Sequence, residues 1–361
     1  MHRSRQIILA SSAALAIITA GLSSTAGLST AQTSSITVYA GRSEPLVEPL
    51  VQAFQKDTGI KVNVRYGTDA ALYAALSEEG SKSPADVFWA NTSGALVNAS
   101  QKGFFNKLPA TTLKRALEFV PKSGTWTPLS VRFRVLAFNP KKVTDAALPA
   151  SVLELPSLSK FKGRIGWTQT YSSFQDFVTA LRITHGEAKA KSWLEGMKKL
   201  EPKAYTSNST MLESMLAGEI DVALTNHYYV QRIVAGAAEG EFESKGLAAE
   251  EKPKTGKGNV IGAHFFKAGD TGNLELVTGA AILKTSKQVA NSQKFIDFLL
   301  SAKAQQLGAT SILEYPVVGG FPLPKSLGPL SDALKRSPKI DFEKLSDLEG
   351  SLKLLRSVGL L

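Results

Sequence analysis

Three observations predict an α/β protein of two lobes, joined by a two-strand hinge with a ligand cleft between them. Strand-like and helix-like segments alternate over residues 36–91, and they do so again over 164–229. Each unit is followed by a long apolar run of strand character, and two such runs let the chain leave one lobe and return to it. The lobes are expected at 36–132 with 262–312, and at 133–261 with 313–361. A cleft between hinged lobes is a favoured place for a ligand.

The chain begins with Arg3 and Arg5, an apolar run from Ile7 to Ala20, and small residues ending at Ala31. These are the parts of a secretory signal peptide, expected at residues 1–31. The apolar run is shorter than the roughly 20 residues a membrane span needs, and no second such run follows. A periplasmic protein without stable membrane insertion is expected, and a monomer. There is no cysteine in 361 residues, which excludes disulfides, thiolate zinc sites and iron–sulfur clusters. The formal charge of +11 falls to +9 without Arg3 and Arg5. Its basic residues are scattered rather than clustered, so no nucleic-acid partner is expected, and the charge leaves room for a few arginines focused in a cleft.

The elements follow in order. ITVYAG (36–41) alternates into a glycine and reads as a strand. SEPLVEPLVQAFQKDTG places Leu46, Val47, Leu50, Val51 and Phe54 on one helix face and stops at Gly59. IKVNVRYG is a strand, ALYAALSEEG a helix and ADVFWAN a strand, the grammar of a parallel sheet. PLSVRFRVLAFNP (128–140) is the first crossover. RIGWTQ reads as a strand, SSFQDFVTALRITHG, KAKSWLEGMKKL and STMLESMLAG as helices, and IDVALT as a strand. GNLELVTGAAIL (272–283) is the second crossover, KFIDFLLSAKAQQLGA a helix, and a Pro-rich, helix-capable tail ends the chain. Residues 238–258, charged and glycine-rich, read as a solvated surface loop.

Just after IDVALT stand Tyr228 and Tyr229, at a helix start with Thr225 or Asn226 as N-cap. Two phenols from a loop-to-first-turn segment can aim into one cleft, and the positive end of the helix favours their ionisation. Phenolates are hard oxygen donors suited to a hard, highly charged cation such as Fe³⁺. An ordinary packed helix start also accounts for such a pair. The three scattered histidines after the expected leader, His185, His227 and His264, lack the spacing of a zinc hydrolase. His227 could assist a site at the tyrosines, and Tyr39 in the first strand reads as structural.

From ITVYAGRSEPLVEPLVQAFQKDTGIKVNVRYG, SPADVFWANTSGAL, PLSVRFRVLAFNP, GWTQTYSSFQDFVTA and LAGEIDVALTNHYYV, in this order, the chain resembles the periplasmic ferric-ion-binding proteins of iron ABC transporters. These are type II periplasmic binding proteins. The resemblance spans the chain after the leader to about residue 320. It implies iron ligation by Tyr228 and Tyr229, with Tyr171 in the place of the third tyrosine of the tyrosine–carbonate branch. Ser43 and Asn91 stand where many relatives have histidine and glutamate, which favours that branch. It further implies that Arg42 and Arg132 hold a synergistic carbonate or bicarbonate, with Ser43, Asn208, Asn226, Ser172 and Ser173 as further anion contacts. Three phenolates would cancel Fe³⁺ and two arginines a carbonate dianion. The implied partner is an ABC permease in the inner membrane, and no enzymatic activity is implied. The alternatives are a small-anion or carboxylate carrier of the same fold, or a secreted metallohydrolase using His227.

Overall fold

The computed structural model describes residues 34–235 and 261–361; the expected leader and the charged loop 238–258 lie outside the described residues. Ten strands among them form one sheet, eight of them in the order β2-β1-β3-β9-β4-β7-β5-β6, with β8 and β10 added on β4. The first half starts with β1 (Ser35–Ala40), whose alternate residues Ile36 and Val38 are fully buried. Helix α1 (Glu44–Thr58) buries Leu46, Val47, Leu50, Val51 and Phe54 and ends at Gly59, which adopts the left-handed φ of 69° that closes such a helix. β2 (Lys61–Tyr66) and β3 (Val87–Ala90) both pair with β1 in parallel, with α2 (Asp69–Glu79) between them. Helix α3 (Ser93–Gln101) leaves β3, and a single turn, α4 (Ala110–Leu113), precedes β4.

Strand β4 (Thr127–Phe138) is the first crossover. Its N-terminal part pairs with β9 (Glu275–Ile282), and Arg134–Phe138 pairs with β7 (Val222–Asn226). One strand therefore belongs to both halves. In the second half β5 (Ile165–Trp167) lies parallel to β7 and to the short β6 (Lys203–Ala204). Helices α5 (Ser172–His185), α6 (Glu187–Lys199), α7 (Asn208–Leu216) and α8 (His227–Val234) cover it.

The return path differs in detail from the expectation. β8 (Gly262–His264) still pairs with β4 in the second half, and β9 lies wholly in the first, pairing with β3 and β4. The chain thus crosses between them, where Leu274 O accepts from Arg134 N. KFIDFLLSAKAQQLGA is two helices, α9 (Val289–Leu299) and α10 (Ala302–Ser311), because Ser301 turns out of the first and its hydroxyl caps the second at Ala304 N. β10 (Tyr315–Pro316) then pairs with β4 in the first half. The tail follows as α11 (Leu330–Leu334) and α12 (Leu348–Ser357). It straddles both halves: Phe342 packs edge-on against Trp126, while Leu345, Leu354 and Leu355 join the core of the second half. No helix among the described residues is long and apolar enough to cross a membrane.

Candidate functional site

The site is built where strands end and helices begin. β1 runs into Arg42, β3 into Asn91, β5 into Tyr171 and β7 into Asn226. The carboxyl ends of strands are where α/β sheets place ligands, and helix N-termini there favour negative charge. Tyr171 is the N-cap of α5, and Asn226 the N-cap of α8, so Tyr228 and Tyr229 fall in the first turn. Their rings stack with centroids 4.2 Å apart. Tyr228 is buried, whereas Tyr171 and Tyr229 are half-buried.

The structure brings the three phenols together. Burial raises the pKa of each, and neighbouring phenols raise them further: Tyr229 acts on Tyr171, Tyr171 on Tyr228, and Tyr228 on Tyr229. The Tyr171 hydroxyl favours the ionised form of Tyr229, as does Asn208. Against this, Arg132 and Arg42 favour ionisation of Tyr171 and Tyr228. Tyr39 is elsewhere: its hydroxyl donates to Glu79 at 2.8 Å and accepts from Arg65 at 2.9 Å.

Below the phenols lie three buried arginines with different partners. Arg42 Nη1 and Nη2 donate to the two carboxylate oxygens of Glu314 at 2.8 and 2.9 Å. Burial opposes the charge of both members, but the pair wins, holding Glu314 at about 2 and raising Arg42 above its ordinary value. The expected anion contact Arg42 is therefore already neutralised in place, by an acid that sequence reasoning missed. Arg132 donates to Thr278 Oγ1 at 2.8 Å and to Asn91 O at 2.6 Å. Arg134 donates from Nη1 to Asn226 Oδ1 at 3.0 Å and Ser173 Oγ at 3.3 Å, while its Nε and Nη2 are buried without a hydrogen-bond partner among the described residues. Burial first, then the charge of Arg132, lowers its pKa to about 9.

The remaining expected contacts fall around this cluster, with one exception. The Nδ2 groups of Asn208 and Asn226 are buried with no partner among the described residues. Ser172 Oγ accepts from Asn91 Nδ2 at 2.8 Å, a bond joining the two halves. Ser43 is exposed at the N-cap of α1 with no side-chain capping bond. His227 is buried, its Nδ1 accepts from Phe133 N at 3.1 Å, and burial lowers its pKa to about 4, so it is a neutral packing residue. Two buried acids also went unnoticed: Asp69, at about 6, accepts from Asn91 N and Thr92 N, and Asp176 is raised to about 8. Among the described residues no group of three or more His, Cys, Asp or Glu could hold a metal. The convergent hard donors are phenols, and the unpartnered groups beside them are N–H donors, a combination suited to a hard cation with an anion.

The bacterial extracellular solute-binding protein family matches residues 39–306. The chain is 35% identical over 329 residues to the Fe(3+)-binding periplasmic protein of Serratia marcescens, covering 90% of each chain. It is 33% identical to the major ferric iron-binding protein of Neisseria meningitidis serogroup B, covering 90% of this chain and 93% of that one. Among solved structures, iron-bound HitA from Pseudomonas aeruginosa superposes with a TM-score of 0.79 at 32% identity, covering 91% of this chain and all of that one. With the α/β architecture of a type II periplasmic binding protein, the chain belongs to the bacterial extracellular solute-binding protein family.

Proposed function

We propose that this protein binds Fe³⁺ through the phenolates of Tyr171, Tyr228 and Tyr229 together with a synergistic carbonate, and delivers it to an ABC permease in the inner membrane. Its setting is that of its family: a periplasmic solute-binding protein without enzymatic activity, in iron uptake. The observation that carries the reading is the convergence of three phenols on buried, unpartnered N–H groups of Arg134, Asn208 and Asn226. Buried donors without acceptors are costly, and an anion among them would remove that cost.

Charge supports the same assignment. Three phenolates cancel Fe³⁺, and Arg132 and Arg134 cancel a carbonate dianion, since Glu314 already balances Arg42. A guanidinium fork donates two parallel hydrogen bonds, the geometry a planar oxyanion accepts. Arg132 with Arg134, more than Arg42, thus becomes the anion clamp, with Asn208, Asn226 and Ser173 around it. Ser172 serves the seam with Asn91. The two halves are proposed as lobes that close on the ligand, with boundaries near those read from sequence but with Gly262–His264 in the second and Tyr315–Pro316 in the first. The protein is proposed to act as a monomer.

Loading the iron-free protein with a ferric salt and bicarbonate tests this. One ferric ion per chain with a visible phenolate-to-iron charge-transfer band is expected. A colourless protein that binds a small anion alone would overturn it in favour of an anion carrier.

A further inference from the structure

We infer that Glu314 sets the charge of the anion that accompanies the metal, by cancelling Arg42 and leaving two guanidinium groups for a dianion. The inference rests on the phenolate–anion reading above and deepens it. Glu314 stands just before β10 and is 3% exposed, as is Arg42. Two parallel hydrogen bonds of 2.8 and 2.9 Å join them, and Ser130 Oγ donates to the same carboxylate. The pair is one hydroxyl away from the clamp: Thr278 Oγ1 accepts from Arg42 Nη1 at 2.9 Å and from Arg132 Nη1 at 2.8 Å. Glu314 touches no phenol oxygen by hydrogen bond, yet its charge acts on Tyr228.

In this low-dielectric setting a unit charge is not screened away. With Glu314 ionised, the groups facing the anion carry two positive charges, from Arg132 and Arg134. Without it a third guanidinium is released at the same place, and the site suits an anion of higher charge. Carbonate stops at a dianion, whereas phosphate can reach a trianion beside a ferric ion. Glu314 is thus a positioning and specificity residue acting through Arg42.

The test compares ferric loading of the whole protein in mixtures of bicarbonate and phosphate, reading bound phosphate per iron and the position of the charge-transfer band. Glu314→Gln is expected to move the phosphate-to-carbonate preference toward phosphate by about tenfold or more, the usual effect of one close charge on such an equilibrium. The double variant Arg42→Gln with Glu314→Gln, in which the charge is balanced again, returns to within about threefold of the unmodified protein. Arg42→Gln alone, which keeps the acid, moves the preference the other way and gives a second reading should Glu314→Gln fold poorly. An unchanged preference in both single variants, or an equal shift in the single and double Glu314 variants, would overturn the inference while leaving the phenolate reading intact. Failure of the unmodified protein to colour with either anion would instead overturn the phenolate reading, and this inference with it.

Discussion

Tyr171, Tyr228 and Tyr229 carry pKa values raised first by burial, so in the metal-free protein all three hold their protons at neutral pH. Under the proposed ligation a ferric ion displaces those protons, and about three are expected to be released per iron from the phenols, read by pH-stat titration. Affinity therefore climbs as pH rises from 5 to 8. Tyr228→Phe and Tyr229→Phe are each expected to weaken iron binding by about a hundredfold or more in chelator competition. The melting temperature of the iron-free protein should change little, because the ring packing remains. Asp176 makes a different pH statement. Burial, and then the charge of Asp69, raise it to about 8, against about 4 in an unfolded chain. Its contribution to stability is complete below about pH 4 and is lost as pH rises toward 8. Asp176→Asn should consequently unfold at higher urea than the unmodified protein at pH 9, by on the order of a few kcal/mol, and nearly match it at about pH 4. Tyr228 and Tyr229 drew attention because a strand end followed by a helix start is a local signal, whereas Tyr171 was named only through the family resemblance. Glu314 was not legible, since its partner Arg42 is 272 residues away and an ion pair over that distance leaves no mark in either neighbourhood.

Helices were read well where the chain announces its own ends. Gly59 after α1 and Asn226 before α8 are such marks, the first taking a left-handed turn and the second an extended cap. The run through α9 and α10 was not divided, because its apolar spacing continues across the break and only the hydroxyl of Ser301 makes the second start. Ser301→Ala is expected to cost about 1 kcal/mol in chemical denaturation, the typical value of an N-cap. Strands β6 and β8, of two and three residues, hold no periodicity to detect, and their existence depends on pairing with β5 and β4. The strand character of GNLELVTGAAIL was visible, but which half it pairs with is decided by the partner strands β3 and β4.

Across the whole molecule, the two halves meet through β4, through the segment between β8 and β9, through the tail, and through the Asn91–Ser172 bond at the site itself. Removing that bond with Asn91→Ala should speed iron release by about twofold to tenfold, the size of one net hydrogen bond, in stopped-flow chelator experiments. The charge-transfer spectrum should stay as it is, because no phenol is altered. Arg132 and Arg134 stand on the one strand that both halves own, and all three tyrosines follow strands of the second half alone. The three phenols therefore stand together on the second half, while Arg132 is fastened to β9, Thr278 and Asn91 of the first. Under the proposed ligation the metal's phenolates come from one side, and the anion, held by guanidinium groups tied to both, is what registers whether the two sides are in place.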